Sequence, residues 1–366
     1  MTRTSPTHED QTSDPRGGGG DPAAHAPTRR RILITGLLIL LLLGGLYFLV
    51  PKLAGLNQTW GRLRRGDPIW LGVAALSECL SIGGYALLFR TVFGRGMPRL
   101  GWVPSIEIPL AGIAALRLLA SAGAGAVAVT AWALERAGME RRVVACRMVA
   151  SLFLQYAVFI GAVFICGLAM GLRILPGKGP FELTFVPAIL SAVVAAAIIG
   201  AIFLPNDIER RLTAITGGPA WWRRLVARIA KAPTALGSGA RTAVTLVREL
   251  RPGLLGAIFY WGFDITALGL SFAAFGSHPA VAVVILAYFL GQLGSILPLP
   301  GGIGGVEGAL IGSFVAFGVS ADQAIVSVLA YRAISFWLPT LPGILGYVLL
   351  RRTVKRWQRQ GAVDLA

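Results

Sequence analysis

Glu78, Arg117, Asp264 and Arg332 stand well inside long apolar stretches of the chain; Glu307 sits in a Pro/Gly-broken segment and Glu107 heads another. If those stretches cross a bilayer, each charge at a helix centre costs ~2.5–3.5 kcal/mol on insertion scales. Charges kept at that cost pair with one another, line a polar route, or do both. Pairing predicts Arg332 against Glu307 and Arg117 against Glu78, locking helices together. A polar route predicts the same groups along a seam that admits a charged headgroup. Gln292, Ser295 and Tyr331 are expected near this region as hydrogen-bonding side chains between helices.

The densest signal is Pro298-Leu-Pro-Gly-Gly-Ile-Gly-Gly-Val-Glu307. Pro298 and Pro300 remove backbone donors and stop a helix. Gly301, Gly302, Gly304 and Gly305 permit positive φ and let backbone approach a ligand. Irregular backbone at membrane depth persists only where protein or a wet cavity satisfies it. A helix starting near Val306 turns its free N–H groups toward that cavity, which favours an anion such as a phosphate. Glu307, in the first turn, is equally suited to capping that helix. The glycines are no dinucleotide fingerprint: counting from Gly302 and Gly304, the third glycine position holds Glu307, and no strand precedes them.

Other chemistry has little to draw on. Cys79, Cys146 and Cys166 lack CxxC spacing, and His8, His25 and His278 are scattered, so neither a metal site nor a disulfide framework is expected. The sequence holds no DxD pair, catalytic Ser/His set or ATP-binding loop, so no catalytic residue, cofactor or enzymatic activity is assigned. A net charge of +17 raises nucleic acid as a partner. The cations nevertheless fall between apolar spans, where they set topology and attract anionic lipid headgroups, and no basic stripe interleaved with aromatics is present. Membrane lipids are the expected partners.

The elements that must position these residues are helices in a membrane. Of 366 residues, 55% are hydrophobic and 14% charged, with a mean hydropathy of +0.69, which is too little charge to solvate a water-soluble surface. Apolar stretches at Ile32–Val50, Ile69–Phe89, Val143–Leu172, Leu183–Leu204, Gly253–Phe275 and Ala321–Leu350 approach or exceed the ~18–20 residues that span a bilayer. Period-two alternation is absent, so a β-barrel is not expected. Residues 1–28 read as a disordered tail, residues 29–352 as the transmembrane domain, and 353–366 as a basic tail.

Placing the N-terminus in the cytoplasm puts 24 cations on that side and six outside, as the positive-inside rule requires. Residues 51–68 carry four of the outer cations and, with Leu53, Leu56, Trp60 and Leu63 at helical spacing, read as an interfacial helix. Segment 104–134 then begins and ends beside cytoplasmic arginines, with a small-residue break at 120–125; segment 280–317 has the same plan from the outer side. The expected fold is an all-α polytopic membrane protein of about six full spans. It also has two re-entrant hairpins in an inverted repeat, an arrangement typical of transporters with a midplane site. Glu78 and Asp264 fall in equivalent spans, and the cytoplasmic loop 205–251, with amphipathic stretches such as Trp221–Ile229, joins the halves.

PLPGGIGGVEGAL, then Gly318-Val-Ser, Ala330-Tyr-Arg332, Trp337-Leu-Pro339 and Gly343, resembles the terminal signature of the lysylphosphatidylglycerol synthase transmembrane-region family. That family includes the flippase-like domain of bacterial multiple peptide resistance factors. The layout is similar over residues 30–352 and motif-specific over 296–346. The resemblance implies a lipid translocase fold, with Glu307 and Arg332 at the family's acidic and basic positions, in a bacterial plasma membrane with both termini cytoplasmic. A second copy of the chain or a separate transferase is a further candidate partner. Two departures stand out. No aminoacyltransferase domain follows the last span, which argues against lipid aminoacylation, and Ser121-Ala-Gly-Ala-Gly-Ala lacks the proline and acidic residue often found in the first hairpin. A membrane-embedded transferase and a non-catalytic partner are the alternative functions.

Overall fold

The computed structural model describes residues 63, 65–118, 123–177, 179–202, 237–249, 251–296 and 302–363. The first span, the tail before it, most of the interfacial segment 51–68 and the stretch Trp221–Ile229 lie outside the described residues. The remainder is helical, with no strand among the described residues: α1 Pro68–Phe93, α2 Trp102–Leu118, α3 Ala124–Arg136, α4 Arg141–Gly171, α5 Phe181–Ile202, α6 at 237–248, α7 Leu255–Ala273, α8 Val281–Gln292, α9 Gly305–Ala316 and α10 Ala321–Val363. Five of them (α1, α4, α5, α7 and α10) are long and apolar enough to cross a bilayer. Large apolar side chains face outward along them, Ile165 at 63% and Leu190 at 59% exposure, which suits a lipid surround. The chain is a multi-pass membrane protein.

The tightest seam joins α1 to α7. Ser77 Oγ donates to the Phe263 carbonyl and Ser81 Oγ to that of Tyr260, both at 2.7 Å. The paired numbers run in opposite directions, so the helices are antiparallel. Near one end Gly84 and Gly256 let the backbones touch: a Cβ on Gly256 would lie 2.4 Å from the Gly84 carbonyl oxygen. Small residues at a helix crossing are how membrane helices gain packing when water supplies no drive between them. A second antiparallel seam runs between α2 and α10, where Gly343 meets the Leu110 carbonyl and Arg117 meets Phe336.

Between the spans lie two helical hairpins, α2/α3 and α8/α9, and each closes on itself. At the basic end Arg147 of α4 donates to the Phe93 and Arg95 carbonyls at 3.0 and 3.1 Å. The end of α1 and the start of α4 therefore lie together, and α2/α3 departs from one and returns to the other. At the opposite end the Asp67 amide, just before α1, bonds to the Ala274 carbonyl at 2.9 Å, and Phe272 packs on Phe314 at 4.3 Å between ring centroids. The α8/α9 hairpin departs and returns there. Each hairpin sits in its own apolar cluster, one around Leu88, Phe93, Leu134 and Trp357, the other around Phe272, Leu286, Phe314 and Val328.

Helix α10 differs from expectation. Sequence reading ends the last span near Leu350 and makes 353–366 a separate tail, but the helix continues to Val363. Val354 and Trp357 are buried in the cluster at the basic end, and that burial holds the extra turns while the charged side chains between them stay exposed.

Candidate functional site

Helix α9 begins where sequence reading expects it. Gly302 and Gly304 have φ of 67° and 86°, left-handed conformations that side chains other than glycine's resist. Pro298, Pro300 and Gly301 lie outside the described residues. Gly305 is the first residue of α9, and Gly294, in the 3-10 turn that follows α8, packs directly on it; a Cβ there would stand 2.2 Å from the Gly305 carbonyl oxygen. Glu307 then reaches back: its Oε2 accepts from the Gly304 amide at 2.7 Å. This is the acidic half of a capping box, which Gly304, lacking a side chain, cannot reciprocate. Its Oε1 accepts from Arg332 Nε, also at 2.7 Å. Capping and ion pairing are thus both realised, one carboxylate oxygen each.

The expected Arg117–Glu78 ion pair is not formed. Arg117, in the last turn of α2, donates instead to the Phe336 carbonyl at 2.5 Å and to Thr340 Oγ1 at 3.4 Å. On α10, which carries Pro339 and Pro342 in the same stretch, the guanidinium and the Thr340 hydroxyl converge on the Phe336 carbonyl. Arg117 also lies over the Phe336 ring at 5.5 Å, and Arg332 lies at 5.7 Å from the same centroid. The end of α2 and the arginine that pairs with Glu307 therefore meet at one aromatic side chain.

Across from them, Asp264 of α7 accepts from Tyr288 of α8 at 2.6 Å and from Tyr331 of α10 at 2.7 Å, one hydroxyl per oxygen. Glu78, on α1 and 4% exposed, comes within hydrogen-bonding range of Asp264 and lies in the fields of Arg117 and Arg332. Its Oε2 is buried without a hydrogen-bond partner, which marks it as an atom with unmet bonding capacity in the network. Five helices thus bring Glu78, Arg117, Asp264, Glu307 and Arg332 into one network, to which α8 adds Tyr288. Glu107 lies elsewhere, toward the basic end, in hydrogen-bonding range of Thr353 and in the field of Arg356. Ser295 bonds to the Gln292 carbonyl within its own turn.

Tyr288 and Phe336 are residues that sequence reading missed. Tyr288 carries a usable signal, a lone phenol in VAVVILAYFLGQ; a buried phenol needs a partner for its hydroxyl. Phe336 carries none, because a phenylalanine in a span is ordinarily packing. An aromatic chain leads outward from Tyr288 through Trp261 at 6.0 Å and Phe159 at a further 5.6 Å. Phe159 is also a wall of an apolar groove of about 390 Å³ between α4 and α5, with Phe153, Tyr156 and Leu190. Among the described residues no cluster of His, Cys, Asp and Glu could hold a metal ion.

Comparison with known proteins yields a match of residues 32–343 to the family model for the lysylphosphatidylglycerol synthase TM region. A UPF0104 membrane protein of Methanothermobacter thermautotrophicus is 25% identical over 298 residues, which cover 77% of this chain and 86% of the relative. A shorter match to a UPF0104 membrane protein of that organism is 34% identical over 111 residues, 30% of this chain and 32% of the relative. One from Pyrococcus horikoshii is 33% identical over 97 residues, 26% of this chain and 29% of the relative.

Proposed function

As this chain belongs to the lysylphosphatidylglycerol synthase transmembrane-region family, we propose that it moves an anionic phospholipid or lipid-linked precursor between the leaflets of a cell membrane. One observation carries this reading: Arg117 and Arg332, from two hairpin-bearing assemblies, flank Phe336, with Glu78 and Asp264 opposite. A phosphate passing between these helices would meet two guanidinium groups, and the carboxylates would keep it from binding too tightly to leave. The groove by Phe159 is wide enough for an acyl chain at the lipid boundary. We read α1–α4 and α7–α10 as an inverted repeat with re-entrant hairpins: α1 packs on α7, and α2 lies on α10 as α8 lies on α4. The basic end is then cytoplasmic, and rocking of one repeat against the other exposes the site alternately.

The test is a leaflet-resolved assay with fluorescent phosphatidylglycerol in proteoliposomes. Arg332→Ala alone strands Glu307, a change that costs about 3–5 kcal/mol and can unfold the protein. The double variant Glu307→Gln/Arg332→Gln removes both charges and spares the fold. We expect it to keep its thermal midpoint and lose transport. Transport equal to that of the unmodified protein overturns the assignment of these residues, and no transport by the unmodified protein overturns the function.

A further inference from the structure

A second polar space lies far from the buried network, at the basic end of the α1–α7 seam. It is a cavity of about 770 Å³ between the end of α1, the loop 94–101 and the entry to α7, and its walls include Arg90, Arg95, Arg251 and Trp102. Arg90 is fixed in place: it lies 4.5 Å over the Trp102 ring and donates to the Leu100 carbonyl at 3.1 Å. Arg147 holds the loop from below through the Phe93 and Arg95 carbonyls. No acidic residue lines the cavity. One acid stands at its edge: Glu249, beyond α6, whose two oxygens accept from Arg95 Nη1 at 2.7 and 2.8 Å while Oε2 also accepts from Arg251 Nε at 2.7 Å.

We propose that this cavity is a phosphate-binding vestibule in which the Arg95–Arg251 fork takes the phosphate oxygens, and that the Glu249 carboxylate is its built-in stand-in, displaced when the ligand binds. The geometry is that of a two-oxygen anion bridging two guanidinium groups, which the two free oxygens of a phosphodiester reproduce and a monoester reproduces with a further oxygen to offer Arg90. Displacement is easy because the pairs are exposed, with Arg95 at 55%, Arg251 at 34% and Glu249 at 31%, and exposed pairs contribute little. The hydrogen bonds from Arg95, then those from Arg251, hold the Glu249 carboxyl below the usual carboxylate range. It therefore stays ionised at neutral pH, and a competing anion rather than a proton vacates the fork. Trp102, at the mouth and 57% exposed, is suited to the interfacial layer where lipid phosphates lie. The seam above leads along α1 and α7 to Glu78 and Asp264. That continuity links the vestibule to transport, and this link alone rests on the function proposed above.

The experiment measures binding to the purified full-length protein in detergent by calorimetry, with inorganic phosphate and with dihexanoyl phosphatidylglycerol as separate probes. Glu249→Gln should tighten binding about tenfold, and Arg95→Gln should weaken it by a similar factor, since each change adds or removes charge-assisted hydrogen bonds to the anion. Arg95→Lys, which keeps the charge and loses the fork, should fall between. Thermal midpoints, expected to be unchanged because these side chains are exposed, show that each variant is folded. The expected shifts with both probes identify a general phosphate site, and shifts with the lipid alone identify a headgroup site. Unchanged affinity of Glu249→Gln and Arg95→Gln for both probes overturns the vestibule. Shifts in binding by a protein that moves no lipid leave the vestibule standing and remove the transport function instead.

Discussion

Asp264 shows how a buried acid is made tolerable in a membrane. It lies between two phenols from separate elements, so each oxygen has a donor and the helices bearing them are pinned to α7. Removing one hydroxyl costs about 0.6–1.7 kcal/mol by the measure of polar pairs in membranes. We expect Tyr288→Phe and Tyr331→Phe each to lower the thermal midpoint in detergent modestly. The double variant should lose more than the sum, by at least ~0.5 kcal/mol, because the second deletion leaves the carboxylate beside Glu78 with neither phenol. Additive losses would mean that Asp264 finds other donors and that the phenols act independently.

Packing between elements depends on where a Cβ is absent. Gly84 and Gly256 press α1 and α7 together at backbone contact, whereas Gly83 and Gly262, on the same two helices, have open space around them. Gly84→Ala and Gly256→Ala force the helices apart against backbone atoms that cannot yield, and should destabilise by about 1–3 kcal/mol. Gly83→Ala and Gly262→Ala should be neutral or gain up to about 1 kcal/mol from helix propensity. Thermal inactivation in detergent separates the two pairs. The sequence marks all four as glycines in a span; which of them face the partner helix follows from the register of the α1–α7 crossing.

At the scale of the molecule, the two hairpins begin and end at opposite ends of the bundle, which predicts a labelling pattern. After Cys79, Cys146 and Cys166 are replaced by serine, Gly96→Cys and Glu140→Cys, at exposed positions, should react with a membrane-impermeant maleimide only from the cytoplasmic side. Ser277→Cys and Ser320→Cys should react only from the other. The first two positions flank α2/α3 and the second two flank α8/α9. Labelling of either pair from opposite sides would make that hairpin a crossing element and remove the re-entrant topology. Relatives are archaeal, so a cell membrane, without a narrower address, is what they support.

Composition alone establishes a helical membrane protein, because apolar runs of bilayer length have few other solutions. Local chemistry places the start of α9, because proline and left-handed glycine act within a few residues. Glu307 and Arg332 are legible as partners, since both are costly charges close to one broken segment. Nothing local could assign Arg117 to the Phe336 carbonyl rather than to Glu78. That choice depends on the Phe336 turn of α10 lying opposite the end of α2, a register set by packing across more than 200 positions of sequence. The same holds for Glu78 and Asp264, which local reading places only in equivalent spans. The antiparallel crossing of α1 and α7 brings them together, and long-range packing of this kind leaves no local trace.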